Sequence, residues 1–148
     1  MIAWEKEANK FNSLNIRTAL LRIGVVLDSG GGALEKIAQP IRYGVGAPLG
    51  SGDQFMSWVH IDDLCNMFLW AIQNESVEGP FNAVNPHPVT NKEFTKAVAK
   101  TLKKPLLLPN VPSFVLKLIL GEMSSIVLGG SVISDQKLRD HGFKHQYE

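Results

Sequence analysis

The sequence predicts an α/β fold in which strands pair in parallel. Extended and helical patterns alternate along the chain, as in proteins whose strands are joined by helical crossovers. Residues 17–27 form a nearly continuous apolar run, which is typical of a strand covered on both faces. Residues 50–64 form in turn a glycine-rich loop, a short apolar strand and a helix that opens with two carboxylates. This last block is the most specific feature of the chain.

The composition is that of one globular domain. The 148 residues are 45% hydrophobic and 20% charged, which allows a usable core. A net charge of +1 gives no electrostatic reason to expect nucleic acid or an acidic membrane surface as a partner. The single cysteine, Cys65, excludes an internal disulfide framework. No signal-peptide pattern opens the chain, and no apolar stretch approaches the roughly 20 residues of a membrane helix. We therefore expect a soluble cytoplasmic protein.

Both ends suggest a piece of a longer protein. Apolar residues at positions 4, 8 and 11 form a helical stripe with no capping residue before it. Residues 142–148 resemble an extended segment that stops before it meets a partner. We therefore expect the chain to be a fragment.

The middle elements each have their own signal. Apolar residues at 34, 37, 38 and 41 predict a helix over 33–43 that Gly44 ends. Residues 56–60 predict a short strand. Asp62 or Asp63 is predicted to cap the next helix, which runs to about residue 74, because a carboxylate suits the positive end of a helix dipole.

The last third of the chain is predicted to be mostly helical. Residues 81–84 form a short strand, and the Thr90–Glu93 capping box opens a helix to about residue 103. Residues 106–108 are predicted to be briefly extended. Two more helices are predicted over 113–120, which stops at Gly121, and over 134–141, with Gly142 just after its end.

Two glycine-rich stretches lack the spacing of a phosphate-binding loop. The triplet at residues 30–32 follows a strand and precedes a helix, which is the right context, but it is not G-x-G-x-x-G. The stretch 44–49 fails at its last position and contains Pro48. Turn and hinge glycines are the more frequent explanation for both.

His60, Asp62 and Asp63 allow two interpretations. A histidine beside two carboxylates can be a general base with its orienting acid, or half of a metal site. The same residues at the junction of a strand and a helix more often serve as caps and hydrogen-bonded neighbours. No Cys or His cluster completes a metal set, so we predict a structural role and no metal.

Arg22 also leaves two possibilities open. A charged side chain inside an apolar strand is costly unless it is paired or faces a cleft. It therefore meets a carboxylate or lines a ligand site near the end of the strand.

Several short motifs, in order, resemble the carboxy-terminal half of an extended short-chain dehydrogenase/reductase of the nucleotide-sugar epimerase type. They are residues 21–27, 50–64, 79–84 and 88–94. Other motifs resemble one subfamily, the epimerase family proteins, which carry a C-terminal domain of unknown function: Trp4-Glu5, Gly121-Glu122, residues 127–130, and Leu138 with Gly142-Phe143. The resemblance implies that residues 1–84 are the C-terminal part of a Rossmann-type domain and that residues 85–148 form a smaller, mostly helical substrate-side lobe.

The resemblance also implies a function that needs more than these residues. Family members bind NAD or NADP through an N-terminal glycine motif and transfer protons with a Tyr-x-x-x-Lys or related group. Neither motif occurs in the 148 residues. We expect a small-molecule substrate, a missing N-terminal Rossmann half as partner, a possible homo-oligomer, and no activity of this chain alone. The alternative is a non-catalytic regulatory protein that binds dinucleotide on the same scaffold.

The resemblance and the residue types together give six candidate binding residues. Ile23, Gly24 and Val25 match the segment that contacts the nicotinamide, although Val25 stands where the epimerases have a substrate-binding Asn. The expected substrate-cleft residues are Gln54, Met56 and Asn82. Met56 stands where the epimerases place an Arg against the substrate diphosphate, and a thioether cannot replace the bidentate bonds of a guanidinium. We also expect an exposed apolar seam over residues 20–26, which the missing half would cover.

Overall fold

The computed structural model describes residues 2–147, including all of their side chains except those of Ile2, Ile119, Leu120, Met123, Ile126 and Val127. The helices are α1 Ile2–Ala8, α2 Gly32–Arg42, α3 Ile61–Gln73, α4 Asn91–Thr101, α5 Ser113–Leu120, α6 Ser124–Leu128 and α7 Gln136–Asp140, with short 3₁₀ helices at Asn9–Leu14 and Gly121–Met123. The strands are β1 Ala19–Ile23, β2 Val25–Asp28, β3 Phe55–Met56, β4 Trp58–His60, β5 Gly79–Ala83 and β6 Val89–Thr90. In the described part of the chain no helix is long and apolar enough to cross a membrane.

The predicted strand over residues 17–27 is wrong as a single strand. It is two strands, and each has its own parallel partner: β1 pairs with β5, and β2 pairs with β4. The change of partner takes one residue, because the Gly24 N–H donates to the Ala83 carbonyl (3.2 Å) while the Val25 N–H donates to the Ser57 carbonyl (2.9 Å). Both halves of the segment are apolar, so periodicity does not reveal the switch. The predicted parallel pairing is confirmed.

The predicted strand over residues 56–60 is divided in the same way. β3 pairs antiparallel with β6, whereas β4 continues the parallel ladder with β2. Ser57 lies between them, and its buried hydroxyl donates to the Ser131 carbonyl (2.8 Å) and accepts from the Ile133 N–H (3.1 Å). The Ser57 hydroxyl, at the break between β3 and β4, therefore holds residues 131–133 against the sheet.

Most predicted helices are confirmed. α2 and α5 have nearly the expected limits, and Gly44 (φ 77°) and Gly121 (φ 57°) follow them with the left-handed backbone that favours glycine. α7 is shorter than predicted. Residues 106–108, which were predicted to be briefly extended, belong to no helix or strand, and Leu107 is 78% exposed.

The core lies on the side of the β1–β5 ladder that α3 covers. Its centre is Phe81, which is fully buried and meets Trp70 edge-to-face with ring centroids 5.5 Å apart. The other buried members are Val59, Leu64, Met67, Ala71, Val77, Ala83, Leu138 and Phe143. Arg17 fixes the end of α3 onto this core, because its guanidinium donates to the carbonyls of Ala71 (2.9 Å) and Val77 (2.8 Å).

The expected apolar seam is narrower than predicted. Ile23 is 47% exposed, whereas Leu20 and Val26 are half-buried. An open groove of about 380 Å³ runs between α1 and β1, and Trp4 on its rim is 83% exposed. The exposed apolar surface therefore lies along the end of β1 and the outer face of α1.

The capping box of α4 is confirmed, and it gives a stability prediction. Thr90 Oγ accepts the Glu93 N–H (3.2 Å), and the Glu93 carboxylate accepts the Thr90 N–H (2.8 Å). We expect Thr90→Ala to lower the free energy of unfolding by about 1 kcal/mol, measured by urea denaturation at pH 7. Thr101→Ala, at the other end of α4, is the control and should change stability less. Equal losses in the two variants would contradict the cap's role.

The cap should also depend on pH. Hydrogen bonds from the Thr90 backbone and side chain lower the pKa of Glu93 below its ordinary value of 4.5. A carboxylate whose pKa is lowered by folding stabilises the fold above its unfolded pKa, and that contribution is lost as the pH falls through the folded value. The difference between wild type and Thr90→Ala should therefore be full above pH 4.5 and shrink below it.

Candidate functional site

The three predicted cofactor-contacting residues lie where the chain crosses between its two parallel ladders. Ile23 is the last residue of β1 and stands opposite Ala83 of β5, while Val25 begins β2 opposite Trp58 of β4. Gly24 joins them in a space that admits no side chain, because an added Cβ would lie 2.5 Å from the Ser57 carbonyl oxygen. The carboxyl ends of β1 and β5 thus meet here, the edge where open α/β sheets bind ligands.

Asn82 lies near this crossing but already has a partner. It stands opposite Arg22 in the β1–β5 ladder, so the two side chains share a face of the sheet. Its amide Nδ2 donates to the Ser134 carbonyl (2.9 Å). In the structure its amide holds the segment before α7, and its predicted role in substrate binding stays a prediction.

Gln54 and Met56 belong to a firmly anchored loop. The Gln54 amide donates back to the Leu49 carbonyl (2.9 Å), which closes the glycine-rich loop on itself. Asn91 and Asn110, which the sequence analysis missed, tie the loop down: Asn91 Oδ1 accepts the Leu49 N–H (2.8 Å), and Asn110 Nδ2 donates to the Ser51 carbonyl (2.8 Å). Met56 is half-buried on β3, beside the point where this loop enters the sheet.

The predicted capping of α3 by Asp62 or Asp63 is wrong, since the cap is His60. Its Nδ1 accepts the Asp62 N–H (3.2 Å), while both aspartates lie inside the first turn. An imidazole nitrogen with a free lone pair can accept a helix N–H, although histidine is not among the usual capping residues. Among the described residues, no group of three or more His, Cys, Asp or Glu could hold a metal ion.

Asp63 instead anchors the end of the chain. It is fully buried, and its two carboxylate oxygens accept the N–H groups of Gln146 (2.9 Å) and Tyr147 (3.1 Å). Tyr147 also stacks on His60 with ring centroids 3.7 Å apart and donates its hydroxyl to Asp62 (3.0 Å). That bond, together with the nearby carboxylate charges, raises the pKa of Tyr147. The sequence held no signal for these contacts, because they join residues more than 80 positions apart.

Arg22 takes the first of its two possible roles. Its guanidinium binds both oxygens of the Glu5 carboxylate, with Nε–Oε1 and Nη2–Oε2 distances of 2.7 Å. This fork lowers the pKa of Glu5 and raises the pKa of Arg22. The pair holds α1 against β1 and forms part of the groove wall between them.

The glycine triplet is a turn, as the more frequent explanation predicted. Gly31 and Gly32 form antiparallel bridges back to Asp28 and Leu27, and the Gly30 N–H donates to the Asp28 carboxylate (3.0 Å). The triplet therefore joins β2 to α2 as a tight hairpin.

Residues 111–148 match the family described as Domain of unknown function (DUF1731). The chain is 40% identical over 144 residues to the epimerase family protein SAR0825 of Staphylococcus aureus, and 40% identical over 144 residues to SERP0438 of Staphylococcus epidermidis. Each match covers 97% of this chain and 48% of the relative, so the chain spans about half the length of these curated relatives.

Solved structures show a similarity to the same kind of protein. The human epimerase family protein SDR39U1 (isoform 2) with NADPH superposes with a TM-score of 0.83 and 33% identity, over 88% of this chain and 44% of that one. A nucleoside-diphosphate sugar epimerase from Corynebacterium glutamicum superposes with a TM-score of 0.76 and 26% identity, over 97% of this chain and 26% of that one. The fold is thus the C-terminal part of a Rossmann-type fold with a smaller, mostly helical lobe. The chain is similar to the epimerase family proteins, and these matches are consistent with the carboxy-terminal portion of an extended short-chain dehydrogenase/reductase.

Proposed function

We propose that this chain supplies the substrate-side half of an NAD(P)-dependent, nucleotide-sugar epimerase-like oxidoreductase and is not active alone. The observation that carries the proposal is the position of the Ile23–Val25 backbone at the carboxyl end of the β1–β5 ladder, where the chain crosses to the β2–β4 ladder, in a chain that superposes on an NADPH-bound relative. Ligands of open α/β folds bind at such edges. The cofactor would supply the hydride chemistry, and this chain would orient the substrate and exclude water.

The missing N-terminal half is the proposed partner of the β1 edge. Among the described strands β1 pairs only with β5, which leaves its other edge free. The open groove beside it is lined by Trp4, Ala8 and Leu20, and Ile23 is 47% exposed at its end. Further parallel strands and their helices would satisfy the free backbone groups of β1 and cover this apolar surface. We also expect the complete protein to lie in the cytoplasm.

The substrate proposal is a small polar molecule whose binding does not require an arginine at position 56. Met56 offers a polarisable but uncharged surface, so it gives a diphosphate no charge-assisted bond. The other polar groups predicted for the cleft are the amides of Gln54 and Asn82, which can hydrogen-bond but carry no charge to offset that of a diphosphate. A nucleoside-diphosphate sugar would therefore need its charge neutralised elsewhere in the complete protein.

The test is reconstitution with a relative's missing half. The part of SAR0825 that precedes its match to this chain would be joined to residue 1, and the joined protein incubated with NAD or NADP and a panel of nucleotide sugars and simpler polar alcohols. Cofactor reduction or sugar epimerisation by the joined protein, and by neither half alone, is the expected result. Cofactor binding without any turnover would overturn the enzymatic proposal and favour a non-catalytic dinucleotide-binding regulator.

A further inference from the structure

Residues 144–147, here called the strap, lie across the ends of two neighbouring strands. Phe143 fixes the start of the strap, because it is buried in the core and meets Trp70 with ring centroids 5.6 Å apart. Beyond it, His145 Nε2 lies 3.0 Å from the Val84 carbonyl, just after β5. Tyr147 then stacks on His60, the last residue of β4. The strap therefore covers the carboxyl ends of β4 and β5 and the first turn of α3.

The strap is fastened by side chains and not by a strand ladder. The buried Asp63 carboxylate accepts both of its last two described N–H groups, and the buried Asn85 amide donates to the Tyr147 carbonyl (2.6 Å). Charge-assisted hydrogen bonds to a desolvated carboxylate are among the stronger hydrogen bonds in proteins. Asp63 therefore contributes most to holding the strap in place. The hydroxyl of Tyr147 adds an exposed bond to Asp62.

The two ends of the strap differ in burial. The His145 side chain is 2% exposed and lies 4.0 Å from Asp135, whereas Tyr147 is 41% exposed and Gln146 is also exposed. An exposed segment held by a few side-chain bonds opens at a lower free energy than a packed core. The bonds to Asp63 thus hold the more exposed end of the strap, where opening would begin.

We propose that the strap is a conformational latch, which opens as a separate unit when its bonds to Asp63 are released, while the core stays folded. Opening exposes His60, Asp62 and Asp63 at the carboxyl edge of the sheet. The latch proposal depends only on contacts within this chain. It goes beyond the proposed function and would apply whatever the activity of the protein.

Amide hydrogen exchange of the 148-residue chain, resolved by NMR, tests the latch. In wild type, the Gln146 and Tyr147 amides should be protected but exchange faster than the amide of Met67 in the centre of α3. Asp63→Asn keeps the shape of the side chain and removes its charge. We expect it to speed exchange at residues 146 and 147 by at least about tenfold and to leave Met67 unchanged.

Two further variants complete the experiment. Asp140→Asn, at an exposed carboxylate of α7, is the matched control and should leave the strap amides unchanged. Tyr147→Ala keeps Asp63 and removes the ring stack, and it should speed exchange at Gln146 even if Asp63→Asn does not fold. Strap amides that exchange at the rate of Met67 in every folded variant, or that Tyr147→Ala and Asp63→Asn both leave unchanged, would overturn the latch.

Discussion

Phe81→Ala should lower the free energy of unfolding by about 3–5 kcal/mol, the range for truncating a buried aromatic side chain. Phe81 is fully buried in the middle of the core. Its ring meets the rings of Trp70 and His141 edge-to-face, at 5.5 and 5.1 Å, and carries the Lys137 ammonium 4.0 Å from its centroid. Alanine would remove all of these contacts and leave a cavity between β5, α3 and α7. Urea denaturation followed by circular dichroism measures the loss.

Phe68→Ala is the matched control. Phe68 lies on the outer face of α3 and is 47% exposed, so its truncation should cost much less. If the two variants were destabilised equally, the core would not be centred on Phe81. A large effect at Phe68 alone would instead indicate that the outer face of α3 is covered in solution.

Gly24→Ala should cost about 3 kcal/mol, at the upper end of the range for overpacking a dense interior. The added methyl group would lie 2.5 Å from the Ser57 carbonyl oxygen and 2.8 Å from the Val84 side chain. The Ser57 carbonyl cannot move aside cheaply, because it accepts the Val25 N–H that starts the β2–β4 ladder. The substitution therefore forces the two ladders apart at their crossing. Thermal unfolding of the purified variant measures the cost.

Gly30→Ala controls for the change of residue type. An added Cβ there would meet its nearest neighbour, the Asp28 carboxylate, at 3.5 Å, which is an ordinary contact. We expect this variant to unfold within a few degrees of wild type. Wild-type stability of Gly24→Ala would contradict the close approach of β1, β4 and β5 at this residue.

Local signals predicted the helices well. α2, α4 and α5 were recognisable because each combines an apolar stripe with a nearby cap or terminating glycine, and those are short-range interactions. The capping box at Thr90 was confirmed in both of its hydrogen bonds. The resemblance to the epimerase family likewise held, because it depended on the order of several motifs along the chain.

Contacts between residues far apart in the sequence could not be predicted from local sequence signals. The partner change at Gly24 is set by the carbonyls of Ser57 and Ala83, which are 33 and 59 positions away, and hydrophobic periodicity is the same on both sides of it. The cap of α3 was misassigned because Asp62 and Asp63 have the stronger general preference for that position. Only the return of the chain to Asp63 explains why this carboxylate is buried.

The six candidate binding residues show the same limit. The structure places Ile23, Gly24 and Val25 at one edge of the sheet. The amides of Gln54 and Asn82, however, donate hydrogen bonds to the Leu49 and Ser134 carbonyls, respectively. Motif alignment identifies a position, whereas the partner of a side chain depends on segments that approach it in space. The roles of these six residues in binding remain predictions.

Titration of NADPH and NADH, followed by nicotinamide fluorescence, tests the central claim most directly. The samples are this chain alone, the N-terminal half of SAR0825 alone, and the two joined. We predict no saturable change for this chain alone, because it has no G-x-G-x-x-G loop to hold the cofactor pyrophosphate, and a saturable change for the joined protein. Saturable binding by this chain alone, as tight as that of the joined protein, would contradict the account.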